Sequence, residues 1–509
     1  MGQLGMKKFF LTTLGPALAA LTLAPASRAD EPALTGEPTV LNEPAEITQV
    51  VDAFDGDDPF DLHLSLGFQQ TWKNAKIRRE SSINQPGLSS GGYVADTMNV
   101  AKYTETTSRL NTKASIGIFK DIALTFRLPI ILSNSRKLEG LDGSDTQQPI
   151  VLQGAPGEQL FSLPFESPKR SGIEYLAVGL DAALMNQFRD STKPTWVVGL
   201  EGRFSVSEPM HACNSSTNGL NQPGPQKKCA YPSDINRNGI SGDDGNNLEG
   251  NFSGEREAGV SRGTTGLELH TFLSKRIKYI EPYGGFKALF EFQNDSSDYG
   301  PPDLRGFLVT PPPLEGTMIL GMAVIPWEVR DQFQRVSVDF RFTGTYRSEG
   351  RDYTELFDAL GSTDAPTLRN PNFSGYMDDG AGGSVVDEGS QKVYFTGLTD
   401  VQQHGRYTFS TEFTWQAGEY VKFSLGGGYT IVQSHFIAFD QACNPDFSDD
   451  ISKSGPCRST RTDSFGGTTN SATGIPNPNY RAAINTPGRR FLVDDSNAFD
   501  AWLNATVMF

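Results

Sequence analysis

The last thirteen residues, Asn497–Phe509, read NAFDAWLNATVMF and constrain the fold more than any other segment. Every odd-numbered position from Phe499 to Phe509 is apolar. The even positions carry the polar residues Asp500, Asn504 and Thr506, with Trp502 and Met508 between them. Because successive side chains of a strand point to opposite faces, this period of two predicts a strand with one apolar face. Such a strand fits the wall of a membrane β-barrel, with lipid outside and a polar interior. A soluble β protein that ends on an alternating strand is the alternative.

The first 29 residues have the pattern of an export signal. Lys7 and Lys8 precede an apolar run over residues 9–23, and the small residues Ser27 and Ala29 fit an export-peptidase site. We therefore expect 1–29 to be removed as a signal peptide. After it, no stretch approaches the roughly 18 apolar residues that a spanning helix needs. An exported chain with alternating strands is expected in the outer membrane of a Gram-negative cell.

Composition agrees with this class. Only 37% of the 509 residues are hydrophobic, as expected where every second strand residue meets lipid. The formal net charge of -16 argues against a nucleic-acid partner, which requires basic patches. The expected partners are instead outer-membrane lipids, the barrel-assembly machinery and a small-molecule solute.

The chain divides into the signal peptide, an acidic Pro-rich leader at 30–59 and a barrel domain at 60–509. The leader lacks an apolar period, and we predict a flexible periplasmic segment. In the barrel domain we predict an all-β, up-and-down antiparallel transmembrane barrel of twelve strands, an even number as in single-chain bacterial barrels. Ten or fourteen strands remain open. The predicted strands are 60–78, 100–119, 122–135, 171–187, 194–207, 260–276, 279–293, 316–329, 333–348, 404–416, 419–438 and 497–509.

The connections between these strands alternate in length. Short turns such as Lys120-Asp121 and Ala417-Gly418 alternate with long loops, which is typical of outer-membrane barrels with short periplasmic turns and long extracellular loops. Both termini then lie on the periplasmic side. The long loops are predicted near 79–99, 136–170, 208–259, 294–315, 349–403 and 439–496.

Alternation also assigns the two faces of the wall. Sets such as Leu62, Leu64, Leu66 and Phe68 are expected to face lipid, with Trp and Tyr near the short turns as an interfacial girdle. Charged residues fall on the opposite face, because a charge on the lipid face costs roughly 2–4 kcal/mol at the midplane. The predicted lumen-facing set is Lys113, Arg127, Glu201, Arg203, Glu268, His270, Lys287, Glu291, Arg335, Asp339, Arg341, Arg406, Glu412, Lys422 and Asp500.

Two interpretations of this interior remain open. Facing acidic and basic ladders would orient a polar solute in a pore. Alternatively, the same charges pair with one another and brace a wall with little conductance. The first interpretation predicts a channel or transporter for passive passage of small polar or amphipathic solutes. The second predicts a structural or interaction barrel of an envelope complex for secretion, adhesion or surface motility, with envelope proteins as partners.

Two segments resemble known bacterial barrels. The final strand resembles the last strand of outer-membrane barrels, whose assembly machinery reads a C-terminal aromatic residue, which would make Phe509 the assembly signal. The unit Asn111–Ile130, NTKASIGIFKDIALTFRLPI, is loosely similar to a hairpin of transport barrels of the fatty-acid-transporter and phenol-degradation families. This resemblance covers about twenty residues and implies a porin-like or transporter-like architecture, without ligand residues.

The four cysteines fall in two long loops. Cys213 and Cys229 share one loop, and Cys443 and Cys457 share another. In an exported protein this predicts disulfides, and pairing within each loop is the simplest of three connectivities. Their expected role is to stiffen the loops, since no CxxC spacing occurs.

A segment within 234–244 resembles the first half of a calcium loop. The candidate ligands are Asp234, Asn236, Asn238, the carbonyl of Ile240 and Asp243. The usual final glutamate is absent, and an Asx-rich turn is the alternative. A structural calcium ion is thus the one cofactor that the sequence suggests.

An outer-membrane hydrolase is a further alternative. Such enzymes need a histidine beside a serine, asparagine or aspartate. The five histidines form no recognised motif, and we predict a protein that is not an enzyme.

Overall fold

The computed structural model places most of the barrel and parts of its long loops. The structure describes residues 45–53, 61–83, 94–141, 151–214, 228–230, 252–253, 257–294, 297–300, 311–363, 365–373, 376–378, 384–387, 389–390, 392–445 and 474–509. The predicted signal peptide and residues 30–44 of the leader lie outside the described residues.

Twelve antiparallel strands form the wall, each paired with its neighbours in sequence, and the last strand pairs with the first to close the barrel. The closing register runs from His63 opposite Met508 to Arg79 opposite Phe491. The predicted up-and-down barrel of twelve strands is confirmed. The strands are β1 Leu62–Ile83, β2 Val94–Phe119, β3 Ile122–Gly140, β4 Leu176–Met185, β5 Thr195–Phe204, β6 Thr264–Ser274, β7 Ile280–Gln293, β8 Glu315–Val329, β9 Gln334–Arg347, β10 His404–Gln416, β11 Val421–Val432 and β12 Phe491–Met508.

The two ends of the barrel differ, because every connection at one end is short. Two residues link β2 to β3, and the link from β8 to β9 is the 3₁₀ turn Arg330–Gln332 followed by Phe333 in a left-handed conformation. The first and last strands meet at this same end, where Leu62 and Phe509 exchange two backbone hydrogen bonds of 2.9 Å. All the long connections leave from the opposite end, as the sequence predicts.

The outer face of the wall is apolar. Leu64, Leu66 and Phe68 of β1 are exposed, as are Phe409 and Phe413 of β10. Since large apolar side chains on a barrel's outer face match a hydrocarbon solvent, this surface is that of a membrane-spanning barrel. The exposed aromatics beside the short turns are Trp196, Trp327, Trp415, Tyr279 and Tyr420, at the level expected for an interfacial girdle.

Parts of the long connections fold back onto the open end of the barrel. We call this assembly the cap: residues 151–166, 351–363, 365–369, 396–401, 436–440 and 477–490. It contains three short helices, α1 Phe357–Gly361, α2 Pro366–Arg369 and α3 Ala482–Asn485. No helix within the described ranges is long and apolar enough to cross a membrane.

Short strands accompany the cap and the long connections. Phe165–Glu166 and Arg170–Ile173 extend the sheet beside β3, and His435–Phe436 pairs with β12. The other short strands form small separate sheets: Gly350–Asp352 with Thr399–Val401, Asn372–Phe373 with Lys392–Val393, Tyr376–Asp378 with Ser384–Val386, Cys443–Pro445 with Gly474–Pro476, and Cys213–Asn214 with Lys228–Ala230 and Phe252–Ser253.

The cap has a hydrophobic core of its own. Leu356, Leu360 and Leu368 from the 349–403 loop are fully buried with Ile437 and Ile484. The same cluster includes the projecting ends of β1, β2 and β12, through Ile77, Val100 and Phe491. Burial of a leucine or isoleucine side chain contributes roughly 1.5–3 kcal/mol, so these contacts hold the cap on the barrel.

Candidate functional site: the barrel lumen

The centre of the lumen holds a chain of ion pairs. The Arg127 guanidinium donates to Glu201 over 2.6 Å, and Arg203 contacts both Glu201, at 2.9 Å, and Glu268. Lys287 Nζ lies 3.3 Å from the same Glu268 carboxylate. Five of the predicted lumen-facing side chains from β3, β5, β6 and β7 therefore form one connected network.

A second network lies on the β7–β9 side. Asp339 accepts a hydrogen bond of 2.6 Å from the Tyr283 hydroxyl and lies 3.2 Å from Arg341, which in turn donates to Tyr283. The predicted residue Glu412 of β10 accepts from Trp502 of β12. Asp500 accepts from the side chains of Gln69 and Thr71 in β1. These contacts link strands around the barrel.

A third network lies near the cap. Glu315 pairs with Arg347 at 2.8 Å and with the predicted residue Arg406 at 3.0 Å. Arg262 bridges the predicted residue Glu291, at 3.0 Å, to Asp352 of the cap, at 2.9 Å. The charges of Arg262 and Arg347 hold the pKa of the buried Asp352 carboxyl well below its usual range, although burial alone would raise it.

Three of the remaining predicted residues also lie among charged neighbours. His270 Nε2 is 2.7 Å from Asp181 of β4. Lys113 of β2 is exposed to the lumen, while Arg335 of β9 is buried near the short-turn end. The alternation of the strands places these side chains on the inner face, with Lys113 opposite Arg127 and Ser65 in the register.

The leader segment 45–53 occupies the lumen at the short-turn end. Glu46 lies 3.7 Å from Lys422, the last of the predicted lumen residues, and Thr48 shares a 2.8 Å hydrogen bond with Ser274. The Ala45 amide donates to Glu281 over 3.3 Å. The segment therefore touches inward-facing side chains of β6, β7 and β11.

Apolar contacts and backbone bonds fix the same segment. Ala45 and Ile47 pack with Phe272, Tyr283 and Ile319, and Val50 and Val51 pack with Ala123 and Val197. Ala53 exchanges two backbone hydrogen bonds with Lys120 in the β2–β3 turn, of 3.1 and 2.8 Å. Residues 45–53 belong to the leader that the sequence predicts to be flexible, and here they contact the inner wall through these groups. These apolar residues find partners only once strands distant in sequence surround them.

Between the central ion pairs and the cap lies a cavity of about 240 Å³. Three ion pairs line it: Lys73–Glu355 at 2.7 Å, Arg109–Glu174 at 3.0 Å and Arg136–Glu105 at 3.3 Å. Apolar and aromatic side chains complete the walls, namely Tyr103, Tyr353, Ile131, Met210 and Val260. We call this space the cap cavity.

The described histidines do not form a hydrolytic arrangement with serine. His211 lies between Asp298, at 2.9 Å, and Glu208, at 3.2 Å, and is buried. His404 and His435 stack on one another, with ring centres 3.7 Å apart, and each Nδ1 contacts a backbone carbonyl.

One predicted disulfide is present, because Cys213 and Cys229 are bonded and join two short strands beside the cap. Cys457 lies outside the described residues, and so does the calcium-loop candidate 234–244. The second disulfide and the calcium site therefore stay predictions. In the part of the chain that the structure describes, no group of three or more histidine, cysteine or acidic residues is arranged to hold a metal ion.

The chain was compared with known proteins. No family model and no curated protein matches it. Among solved structures it is similar to an outer membrane channel from Pseudomonas putida F1, with 9% identity and a TM-score of 0.34, covering 90% of this chain and 100% of that one. It is also similar to the toluene transporter TodX of P. putida (10% identity, TM-score 0.27, 90% and 95% covered). A third is the outer membrane protease OmpT of Escherichia coli (8%, 0.24, 88% and 96%).

Sequence reasoning missed the leader residue Glu46, the bridging residues Arg262 and Glu315, and the cap cavity. Arg262 lies just before β6 and Glu315 begins β8, where the alternation that marks inward residues is hardest to follow. The cavity combines residues from seven separate stretches of the chain, a combination that no local pattern marks.

Proposed function

We propose that this protein is an outer-membrane barrel that passes small polar or amphipathic solutes, and that the leader segment 45–53 closes its lumen at rest. The observation that carries the proposal is the inner wall itself. It carries charged side chains that remain partly accessible, such as Arg127, Lys287 and Arg341. A polar and accessible interior behind an apolar outer wall suits the passage of polar solutes.

Passage in this proposal requires the leader segment to move. The leader passes Gly117 of β2, where an added Cβ would lie 1.7 Å from the Asp52 carbonyl oxygen. Glycine is thus required at position 117 for the leader to lie against the wall. The leader is held further by the Ala53–Lys120 backbone bonds and by two small apolar clusters.

The experiment is single-channel recording of the refolded, detergent-purified mature protein in a planar bilayer, comparing wild type with Gly117→Val. The valine side chain collides with the Asp52 backbone, so it should displace the leader and raise open-channel occupancy at least tenfold. Gly316→Val is the matched control, because a Cβ there meets nothing within 4 Å. Heat-modifiable electrophoretic mobility would verify that all three barrels are folded.

A non-conducting structural barrel is the second candidate. The mutual pairing of the lumen charges favours it, because Arg127, Glu201, Arg203 and Glu268 satisfy one another without a solute. If folded Gly117→Val protein is as silent as the wild type, the transport proposal fails. Co-purification of envelope proteins would then test the second candidate.

The location and orientation belong to the same proposal. The apolar outer wall and the aromatic girdle support insertion in the outer membrane, with lipids and the assembly machinery as partners. The short-turn end, where the leader enters, would face the periplasm. No catalytic step is part of this proposal.

A further inference from the structure

Several ion pairs of the lumen share an asymmetry: the basic partner is more accessible than the acidic partner. The order is reversed in Arg347–Glu315, Lys422–Glu46 and His270–Asp181. The Arg127 side chain is 31% exposed and its partner Glu201 is 5% exposed. Lys287 is 30% exposed against 5% for Glu268. The side chains of Arg341 and Arg406 are likewise more exposed than those of their carboxylate partners, Asp339 and Glu315.

Side-chain length explains the asymmetry. Arginine and lysine have longer stems than aspartate and glutamate, so their charged heads extend from the wall toward the barrel axis. The shorter acidic side chains keep their carboxylates closer to the wall, where they pair with the basic groups. At the pairs with this order, a solute in the lumen therefore meets positive charge first, although the whole chain carries a formal charge of -16.

The cap cavity shows the same order of charges. Lys73 is 29% exposed and Glu355 is 8% exposed. The Arg109 side chain is more exposed than that of its partner Glu174. Arg262 is also far more exposed than its buried partner Asp352. Arg136 and Glu105 are the exception, since the two are about equally accessible. Three basic heads thus dominate the accessible charge of this cavity.

The cavity also offers an apolar surface. Ile131, Met210 and Val260 line it together with Tyr103 and Tyr353. An inorganic anion would contact the basic heads and leave this surface without a partner. An organic anion would use both, because its charged group binds the basic heads while its carbon skeleton contacts the apolar side chains. Arginine is well suited to a carboxylate, which it binds with two parallel hydrogen bonds.

We propose that the cap cavity binds a small organic carboxylate through Lys73, Arg109 and Arg262, so that the solute class of this barrel is anionic. The inference rests on the proposed function for its role in passage, but binding in the cavity is independent of conductance. The volume of about 240 Å³ limits the ligand to a small molecule.

The test is isothermal titration calorimetry on the folded, full mature protein, with benzoate as the probe and benzyl alcohol as its uncharged counterpart. Wild type should bind benzoate at least tenfold more tightly than benzyl alcohol. The double variant Arg109→Gln with Glu174→Gln removes one basic head and its partner at constant net charge, and should weaken benzoate binding at least tenfold while leaving benzyl alcohol within threefold. Arg109→Lys keeps a positive head and should retain most of the affinity.

The matched control is the double variant Lys137→Gln with Glu166→Gln, which removes an exposed 2.7 Å ion pair outside the cavity and should leave both affinities unchanged. Equal binding of the two probes to wild type, or undiminished benzoate binding by the folded Arg109 double variant, would overturn the inference. A silent bilayer recording contradicts only the proposed function, whereas the titration decides the ligand class.

Discussion

At the scale of single residues, Arg170 is the main polar anchor of the cap. It is 1% exposed and donates to both oxygens of Asp358 in α1, at 2.9 and 2.6 Å. It also donates to the backbone carbonyls of His211 and Ala258. One guanidinium therefore joins four separate stretches of the long connections, and none of these partners is near it in sequence.

Replacing Arg170 by Gln should loosen the cap strongly. The Asp358 carboxylate would remain buried without its cation, and breaking a buried pair in this way costs about 3–5 kcal/mol. We expect cleavage within the cap by a protease to become at least a hundredfold faster, while the heat-modifiable mobility of the barrel is unchanged. Lys137→Gln, in an exposed pair, should leave the cleavage rate within twofold of wild type.

The cap also contains a buried pair of carboxyls, Asp400 and Asp440, beside Arg351. Burial and the neighbouring Asp440 raise the pKa of the Asp400 carboxyl far above its usual range. The folded cap thus keeps a proton that the unfolded chain loses above about pH 4. Because the folded state binds more protons, the free energy of unfolding the cap should fall as pH rises above that value.

Asp400→Asn should weaken this dependence, because an amide has no proton to lose, while the buried Asp440 carboxyl, whose pKa burial also raises, remains. We expect the variant cap to be more stable than wild type at pH 8, by about 1–3 kcal/mol, and to show a flatter stability profile between pH 5 and pH 9. Protease-detected unfolding of the cap at each pH is the measurement. Asp331→Asn, on an exposed short turn, is the control. If the cap of the Asp400 variant lost stability with rising pH as steeply as wild type, the Asp400 carboxyl would be excluded as the origin of the pH dependence.

The sequence predicts the face of a charged residue but not its partner. Alternation in β5 and β6 is enough to place Glu201, Arg203 and Glu268 on the side away from lipid. Their neighbours depend on the strand register, and a shift of one residue would turn every side chain to the other face. The choice between an open pore and a braced wall depends on those partners, so the sequence left it open.

At the scale of elements, the short turns carry local backbone strain. The β6–β7 hairpin closes with Ile277 and Ile280 exchanging backbone hydrogen bonds of 2.7 and 3.1 Å. Between them Lys278 adopts φ of 56°, a left-handed conformation that disfavours side chains. The sequence places the turn correctly at Ile277-Lys278, but nothing in its composition indicates the strained residue.

Lys278→Gly should therefore stabilise the folded barrel, by roughly 0.5–1 kcal/mol, because glycine adopts this conformation without steric cost. The measurement is equilibrium unfolding in urea of the protein folded in lipid vesicles. Lys193→Gly is the matched control, since Lys193 lies in another exposed turn without a positive φ. Glycine there should be neutral or destabilising, and a gain of equal size at both positions would contradict the role of φ.

The contacts of leader residues 45–53 are a feature that element-scale prediction does not provide. The apolar residues of 45–53 follow no regular period, which is why the segment is expected from the sequence to be flexible. Its apolar residues are buried only by the inner wall, for example Val51 beside Ala123 and Val197. A segment without a core of its own can thus be ordered by a cavity that forms elsewhere.

At the scale of the whole molecule, the two ends of the barrel should lie on opposite sides of the membrane. With both termini in the periplasm, a cysteine at Glu166, near the cap, should react with a membrane-impermeant maleimide on intact cells. A cysteine at Lys193, on a short turn, should react only after the outer membrane is permeabilised. Both side chains are exposed, so accessibility to water is matched. The reverse labelling pattern would refute the proposed orientation.

The sequence by itself determined the architecture of this protein. Strand order, the lipid-facing set and the difference between the two ends follow from the two-residue pattern and from loop lengths, which are local properties of the chain. The closed sheet decided for twelve strands over ten or fourteen. Only the tertiary structure decided what the lumen contains: the leader segment at one end, the cap over the other, and recessed carboxylates behind accessible basic heads. Those features arise because segments hundreds of residues apart in sequence meet: the leader inside the closed barrel places Glu46 near Lys422, and the cap places Glu355 beside Lys73 of β1.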